Sequence, residues 1–197
     1  MRIAFLTPEY ARPGLPSGGL ANYLARIAAL LMGQGHEPVV FLAARENKSY
    51  EISGVSVYEV SKYNKIPFWA KRRLKCALPY FQMIKTSQRI TKSFLDIHKY
   101  KSFDIVQSAS YLFPGLDLVK SSLVPFVVRA SSYTPLLRAA LGKNKTFRDH
   151  LLDWGELRQM QLADGVFAPS HLLSNILRQY EGLCPQVIRT PFIYQEI

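Results

Sequence analysis

Two adjacent glycines, Gly18 and Gly19, stand between a short apolar run, RIAFLT (Arg2–Thr7), and a stretch of helical periodicity that starts at Leu20. A glycine pair opening a helix leaves backbone N–H groups bare, and the helix dipole adds positive potential there. The chemistry this suits is the binding of an anion such as a phosphate. The same pair also serves a tight turn that needs glycine and nothing more, and the residues alone leave both readings open. The spacing does exclude two common nucleotide loops. Gly14, Gly18 and Gly19 do not form G-x-G-x-x-G, and no Gly-Lys-Ser/Thr follows, which argues against a dinucleotide-dependent oxidoreductase and against a P-loop. Cys76 and Cys184 are far apart and form no metal-binding or disulfide motif.

The elements that must position this loop read clearly. Leu20, Tyr23, Leu24, Ile27, Leu30 and Leu31 fall on one helical face, and PVVFLA (Pro38–Ala43) is a continuous apolar run of the kind a doubly covered parallel strand shows. Residues 8–17 hold three prolines and one glycine and predict a shaped loop. Further strands are expected at 54–60, 103–109, 125–130 and 164–170, with a last strand or extended exit over 185–192. Helices are expected over about 67–99, with Pro79 as a kink or break, over a short piece at 111–122, over one or two segments within 135–162, and at 171–180. Strands alternating with helices imply an α/β fold: a Rossmann-like, doubly wound, mostly parallel sheet with helices on both faces. In such sheets ligands bind beyond the carboxyl ends of the strands. That rule selects the loop at 8–19 and the segments Arg129–Thr134, Pro169–His171 and Gln107–Tyr111.

The charge is uneven. The chain of 197 residues carries a net charge of +11, and Lys62–Lys101 holds eleven Lys or Arg against one acid, Asp96, which is nearly the whole excess. FWAKRRLKCALPYF (68–81) interleaves rings with cations, a pattern suited to an anionic membrane surface, an anionic glycan or a lipid phosphate. A solvated basic helix with its apolar face in the core is the competing reading. Nucleic acid is not expected, because no recognition motif accompanies the charge. No long apolar run predicts a membrane span, and the cysteine usage is that of a reducing cytoplasm, with membrane association through the basic segment as an addition.

Three motifs in order carry a resemblance. P-E-Y-x₇-G-G-L-A (from Pro8) with G-H-E-P-V-V (from Gly35), then E-L-R-Q-M-Q-L-A-D-G-V-F-A-P-S (Glu156–Ser170), then V-I-R-T-P-F-I (Val187–Ile193) together resemble the N-terminal domain of the GT-B retaining glycosyltransferases, the large group that includes glycogen and sucrose synthases. The resemblance implies a Rossmann-like acceptor-side domain over 1–190 and the start of an interdomain linker over 191–197, with a separate C-terminal donor domain, absent here, carrying a paired-glutamate motif. It implies transfer, with retention, from a nucleotide-sugar to a hydroxyl acceptor (a glycan, a lipid-linked acceptor or a small molecule), with no cofactor and no metal. It places Gly18 and Gly19 against the donor diphosphate, and Glu9, Tyr10, Ser17, Tyr111 and His171 on the acceptor side. One departure stands out. Many members carry a histidine just after the strand that matches PFVVRA, where this chain has Arg129-Ala130-Ser131-Ser132. Arg129, Ser131 and Ser132 are therefore the candidates for that position, with no catalytic residue assigned. The isolated chain is expected to be inactive. The alternative is a non-catalytic Rossmann-like module that docks on anionic membrane or polymer through residues 62–101.

Overall fold

The computed structural model describes residues 1–12, 14, 16–63 and 75–191. The apolar run Arg2–Thr7 is β1, and α1 (Gly19–Gly33) follows the loop. The chain continues through β2 (Glu37–Ala44), β3 (Lys48–Ile52), β4 (Val55–Ser61), α2 (Leu78–His98) and β5 (Ile105–Ala109). It ends with β6 (Phe126–Arg129), α3 (Thr134–Ala140), α4 (Phe147–Leu162), β7 (Gly165–Ala168), α5 (His171–Glu181) and β8 (Gln186–Val187). The described residues form a sheet of eight strands in the order β3-β4-β2-β1-β5-β6-β7-β8. Every pairing is parallel except β3 with β4. The expected doubly wound α/β architecture is present. The strand order reverses between β1 and β5, so the carboxyl ends Thr7 and Ala109 flank the switch point.

The period-two alternation of the strands sorts the core into two layers. Ala4, Leu6, Val39, Phe41 and Val128 face a layer that also takes Ile90 and Phe94 of α2, Met160 of α4 and Leu177 of α5. Ile3, Phe5, Val40 and Leu42 face Leu20, Tyr23, Leu24 and Ala28 of α1.

Three expectations change. β3 was not anticipated: KSYEI pairs antiparallel with β4 across a Ser53-Gly54 turn in which both residues have positive φ (49° and 82°), the two-residue hairpin geometry. Its strand pattern is weak because it is an edge with little burial. The helix expected over about 67–99, with Pro79 as a kink or break, is described only from Leu78. Pro79 sits in the first turn of α2, where its missing N–H is not needed; the first half of the expected basic helix, residues 64–74, lies outside the described residues. The expected short helix over 111–122 is a turn-rich segment with a single 3-10 turn at Leu118–Ser121.

Candidate functional site

The carboxyl edge of the sheet carries two groups of residues, one on each face of the switch point. On the α1 face the chain leaves β1 in a tight turn: the Thr7 hydroxyl donates to the Glu9 carbonyl at 2.7 Å and accepts from the Glu9 N–H at 3.3 Å. Tyr10 is buried in the α1 layer and anchors the loop. Arg12 pairs with Glu59 of β4. Glu59 also accepts from the Tyr50 hydroxyl at 2.7 Å, so the unanticipated β3 helps to tether the loop. Burial first, then that carboxylate, pushes the Tyr50 hydroxyl up to about 12.

The loop delivers Gly18 in extended conformation as the N-cap of α1, with no side chain among the described residues capping the helix. Ser17 turns its hydroxyl to the Asn22 side chain at 2.6 Å instead. A Cβ at Gly18 would meet the Glu9 carboxylate at 3.0 Å, whereas one at Gly19 would meet nothing within 4 Å. Among the described residues no side chain caps the first N–H groups of α1, which lie at the positive end of the helix dipole. Glu9 lies beside them and would have to move aside for an anion.

Arg129 ends β6. Because its neighbour Val128 belongs to the other layer, its side chain points to the α1 face. It is 6% exposed, with its guanidinium carbon 3.7 Å from the Tyr23 ring centroid. It donates to the Ser131 hydroxyl at 2.6 Å and, at 3.5 Å, to that of Thr190. Among the described residues no carboxylate pairs with it. Burial lowers its proton affinity, and the Tyr23 hydroxyl offsets this in part. A guanidinium remains charged through any such shift, so the site holds a desolvated cation one turn from the open end of α1. Ser131 serves Arg129, while Ser132 is exposed. His171, also exposed, opens α5 at the carboxyl end of β7, and Ser170 caps that helix by accepting from Leu173 N–H at 3.3 Å.

On the opposite face the segment after β5 is held by α4. Leu112 and Phe113 both have positive φ, 58° and 40°, which ordinary side chains disfavour. Gln159 is fully buried and fixes this turn. Its Nε2 donates to the Ala109 carbonyl at 2.8 Å, and its Oε1 accepts from Gly115 N–H at 2.8 Å and Ser108 at 3.2 Å. Glu156 accepts from Leu112 N–H at 3.2 Å and from the Thr134 hydroxyl at 3.0 Å. Burial raises its carboxyl to about 7 against those two donors. Both residues lie inside a motif used above only for its resemblance. Their roles were missed because nothing in the local pattern says which stripe of α4 meets the 108–115 turn. Tyr111 is exposed beside them and lines a cavity of about 560 Å³ between this turn, α3 and α4.

The family model for Glycosyltransferase Family 4 matches residues 17–191. The chain belongs to glycosyltransferase family 4. Solved structures agree in fold. A sucrose-phosphate synthase from Thermosynechococcus elongatus superposes with a TM-score of 0.69 at 14% identity, covering 96% of this chain and 47% of that one. The apo UGT2 of Phytolacca americana gives 0.63 at 11% identity, over 99% of this chain and 52% of that one. WaaG, a glycosyltransferase involved in lipopolysaccharide biosynthesis, gives 0.56 at 14%, over 90% and 41%. The family 4 chain therefore spans about half the length of these relatives, and its fold is that of one Rossmann-like half of a GT-B glycosyltransferase. No curated protein matches the sequence significantly.

Proposed function

We propose that this family 4 domain is the acceptor-side half of a retaining glycosyltransferase that moves a sugar from a nucleotide-sugar to a hydroxyl acceptor. The observation that carries the reading is the uncapped N-terminus of α1 at the switch point, with the buried cation of Arg129 under the same helix. Negative charge develops on the leaving diphosphate as the glycosidic bond breaks. Fixed N–H groups and a desolvated guanidinium stabilise such charge without reorganising. Gly18 and Gly19 keep side chains out of that approach, and no metal is needed for it. The Phytolacca UGT2 is known in complex with UDP-2-fluoro-glucose and pterostilbene, which supports a nucleotide-sugar and a separate acceptor as the two substrates. We place the choice of sugar and most of the nucleoside contacts on a second domain, expect this chain to keep a weak site for the diphosphate at the α1 N-terminus, and expect the isolated chain not to turn over. The reaction belongs in the cytoplasm, at or near an anionic bilayer.

The test is calorimetric titration of the chain with UDP and with a panel of nucleotide-sugars, for wild type and Gly19→Val. A Cβ there meets no described atom within 4 Å, and circular dichroism checks that the variant folds. Binding of a nucleoside diphosphate to wild type that weakens about tenfold or more in Gly19→Val supports the reading. Equal binding would reduce the glycine pair to a turn. No binding to either, together with tight sedimentation on anionic vesicles through 62–101, would favour the non-catalytic module.

A further inference from the structure

α3 buries no residue, although its sequence is TPLLRAA. Polar contacts hold it to α4: Thr134 donates to Glu156, and Arg138 forms a two-pronged pair with Asp153 at 2.9 and 3.0 Å. Its apolar side chains are left outside. Leu137 is 57% exposed, Leu141 just beyond the helix 61%, and Phe147 at the start of α4 63%. The stretch between the helices, Gly142–Thr146, adds Lys143 and Lys145. Lys145 is engaged with Asp153 at 3.1 Å. Among the described residues no carboxylate pairs with Lys143 or with Arg148.

Leu137, Leu141 and Leu152 line the cavity with Tyr111, and so do Lys143, Arg148 and the buried Glu156; Asp149 also lines it, but is engaged by Arg138 and Thr146. A polar substrate would leave the leucines facing water, and a purely apolar one would leave two cations without a counter-charge. The combination suits a molecule with an apolar body and an anionic group, and it gives that molecule a buried carboxyl that can hold a hydroxyl.

We infer that the cavity between α3, α4 and the Tyr111 turn binds an anionic amphiphile, with its chain on Leu137, Leu141 and Leu152 and its negative group between Lys143 and Arg148. Calling this amphiphile the sugar acceptor rests on the glycosyl-transfer reading; its binding does not. Tyr111, which lines the cavity, lies two residues beyond the carboxyl end of β5.

The experiment is titration of the full 197-residue chain with decyl phosphate below its micelle-forming concentration. Decyl maltoside and inorganic phosphate serve as comparison ligands. The variants are Leu141→Glu and the pair Lys143→Glu with Arg148→Glu, all on exposed positions, with folding checked by circular dichroism. Decyl phosphate is expected to bind wild type in preference to both comparison ligands, and about tenfold or more less tightly to each variant. Equal binding of decyl maltoside would overturn the anionic half of the inference, and equal binding of inorganic phosphate the apolar half. Full affinity retained in both variants would move the ligand elsewhere, the 62–101 segment included, and overturn the site. Gly19→Val leaves this binding untouched. Failure here therefore condemns the cavity, and failure of nucleotide binding condemns the transfer reading, independently.

Discussion

Among the described residues Arg129 is held by a ring and two hydroxyls rather than by a carboxylate, which suits a planar cation. A lysine at this position would bring a compact, strongly hydrated ammonium that neither stacks on Tyr23 nor reaches both Ser131 and Thr190. Arg129→Lys is expected to lose about 2 kcal/mol of stability, the size of a desolvated cation–π contact, as read by urea denaturation, and to weaken nucleotide binding alongside it. Glu156 makes a pH prediction. Its folded carboxyl titrates at about 7, above the ordinary 4.5, so folding favours the protonated form. Its contribution is complete below about pH 4.5 and is lost as the pH rises through about 7. The lost amount is about 3 kcal/mol from the size of the shift. Wild type should therefore lose stability between pH 5 and pH 8 (roughly the titration window), and Glu156→Gln should flatten that part of the curve. The groups facing Glu156 are Arg138 of α3 and Asp153 of its own helix. A wild-type curve as flat as the variant's would mean that the carboxyl is ionised throughout.

The elements meet closely where α4 crosses the turn after β5. A Cβ at Gly155 would come within 2.6 Å of the Phe113 ring, which is itself fully buried. In an exposed helix the change to alanine would gain up to about 1 kcal/mol. Here overpacking of a closed core outweighs that gain. Gly155→Ala is expected to destabilise by about 1–3 kcal/mol, seen as a lower Tm. A raised Tm would show that Phe113 has room to retreat. The same crossing holds Leu112 and Phe113 at positive φ through Glu156 and Gln159, and that turn places Tyr111 at the cavity. The tether of the β1–α1 loop is also a property of elements. Arg12 reaches Glu59, and Glu59 is steadied by Tyr50 of the edge strand β3.

At the scale of the whole molecule the positive charge divides into used and free parts. Arg89 is spent within the fold: it donates to Ser61 at 3.0 Å and lies over the Tyr63 ring. Lys101 and Arg2 both pair with Glu37. α2 buries Ile90 and Phe94, so this half of the basic segment is a helix with its apolar face in the core. No described helix is long and apolar enough to cross a membrane. What remains is a long-range positive field, which salt screens. The chain is expected to sediment with vesicles containing anionic lipid at low ionic strength and to be released at about 1 M salt, where the Debye length falls to about 3 Å. Retention in high salt would instead point to insertion of the exposed leucines of α3.

Read from the residues, the β-loop-α-β start, the mostly parallel sheet and the positions beyond its carboxyl ends all follow from local causes. Apolar period, proline and glycine placement and strand alternation act within about a dozen residues, so they are legible in order along the chain. Gly18 and Gly19 opening a helix, and Arg129 ending a strand, were legible for the same reason. The sequence could not say that Arg129 lies over Tyr23, because that contact joins β6 to α1 across the sheet. Nor could it say that Tyr10 is buried, or that β3 tethers the glycine loop. Glu156 and Gln159 look like ordinary polar residues of a surface helix until α4 packs on the 108–115 turn. Their burial, the raised carboxyl and the leucine-walled cavity beside them depend on which stripe of one helix meets one turn. That choice is made by the packing of the whole domain, because burial and desolvation are set by neighbours distant in sequence.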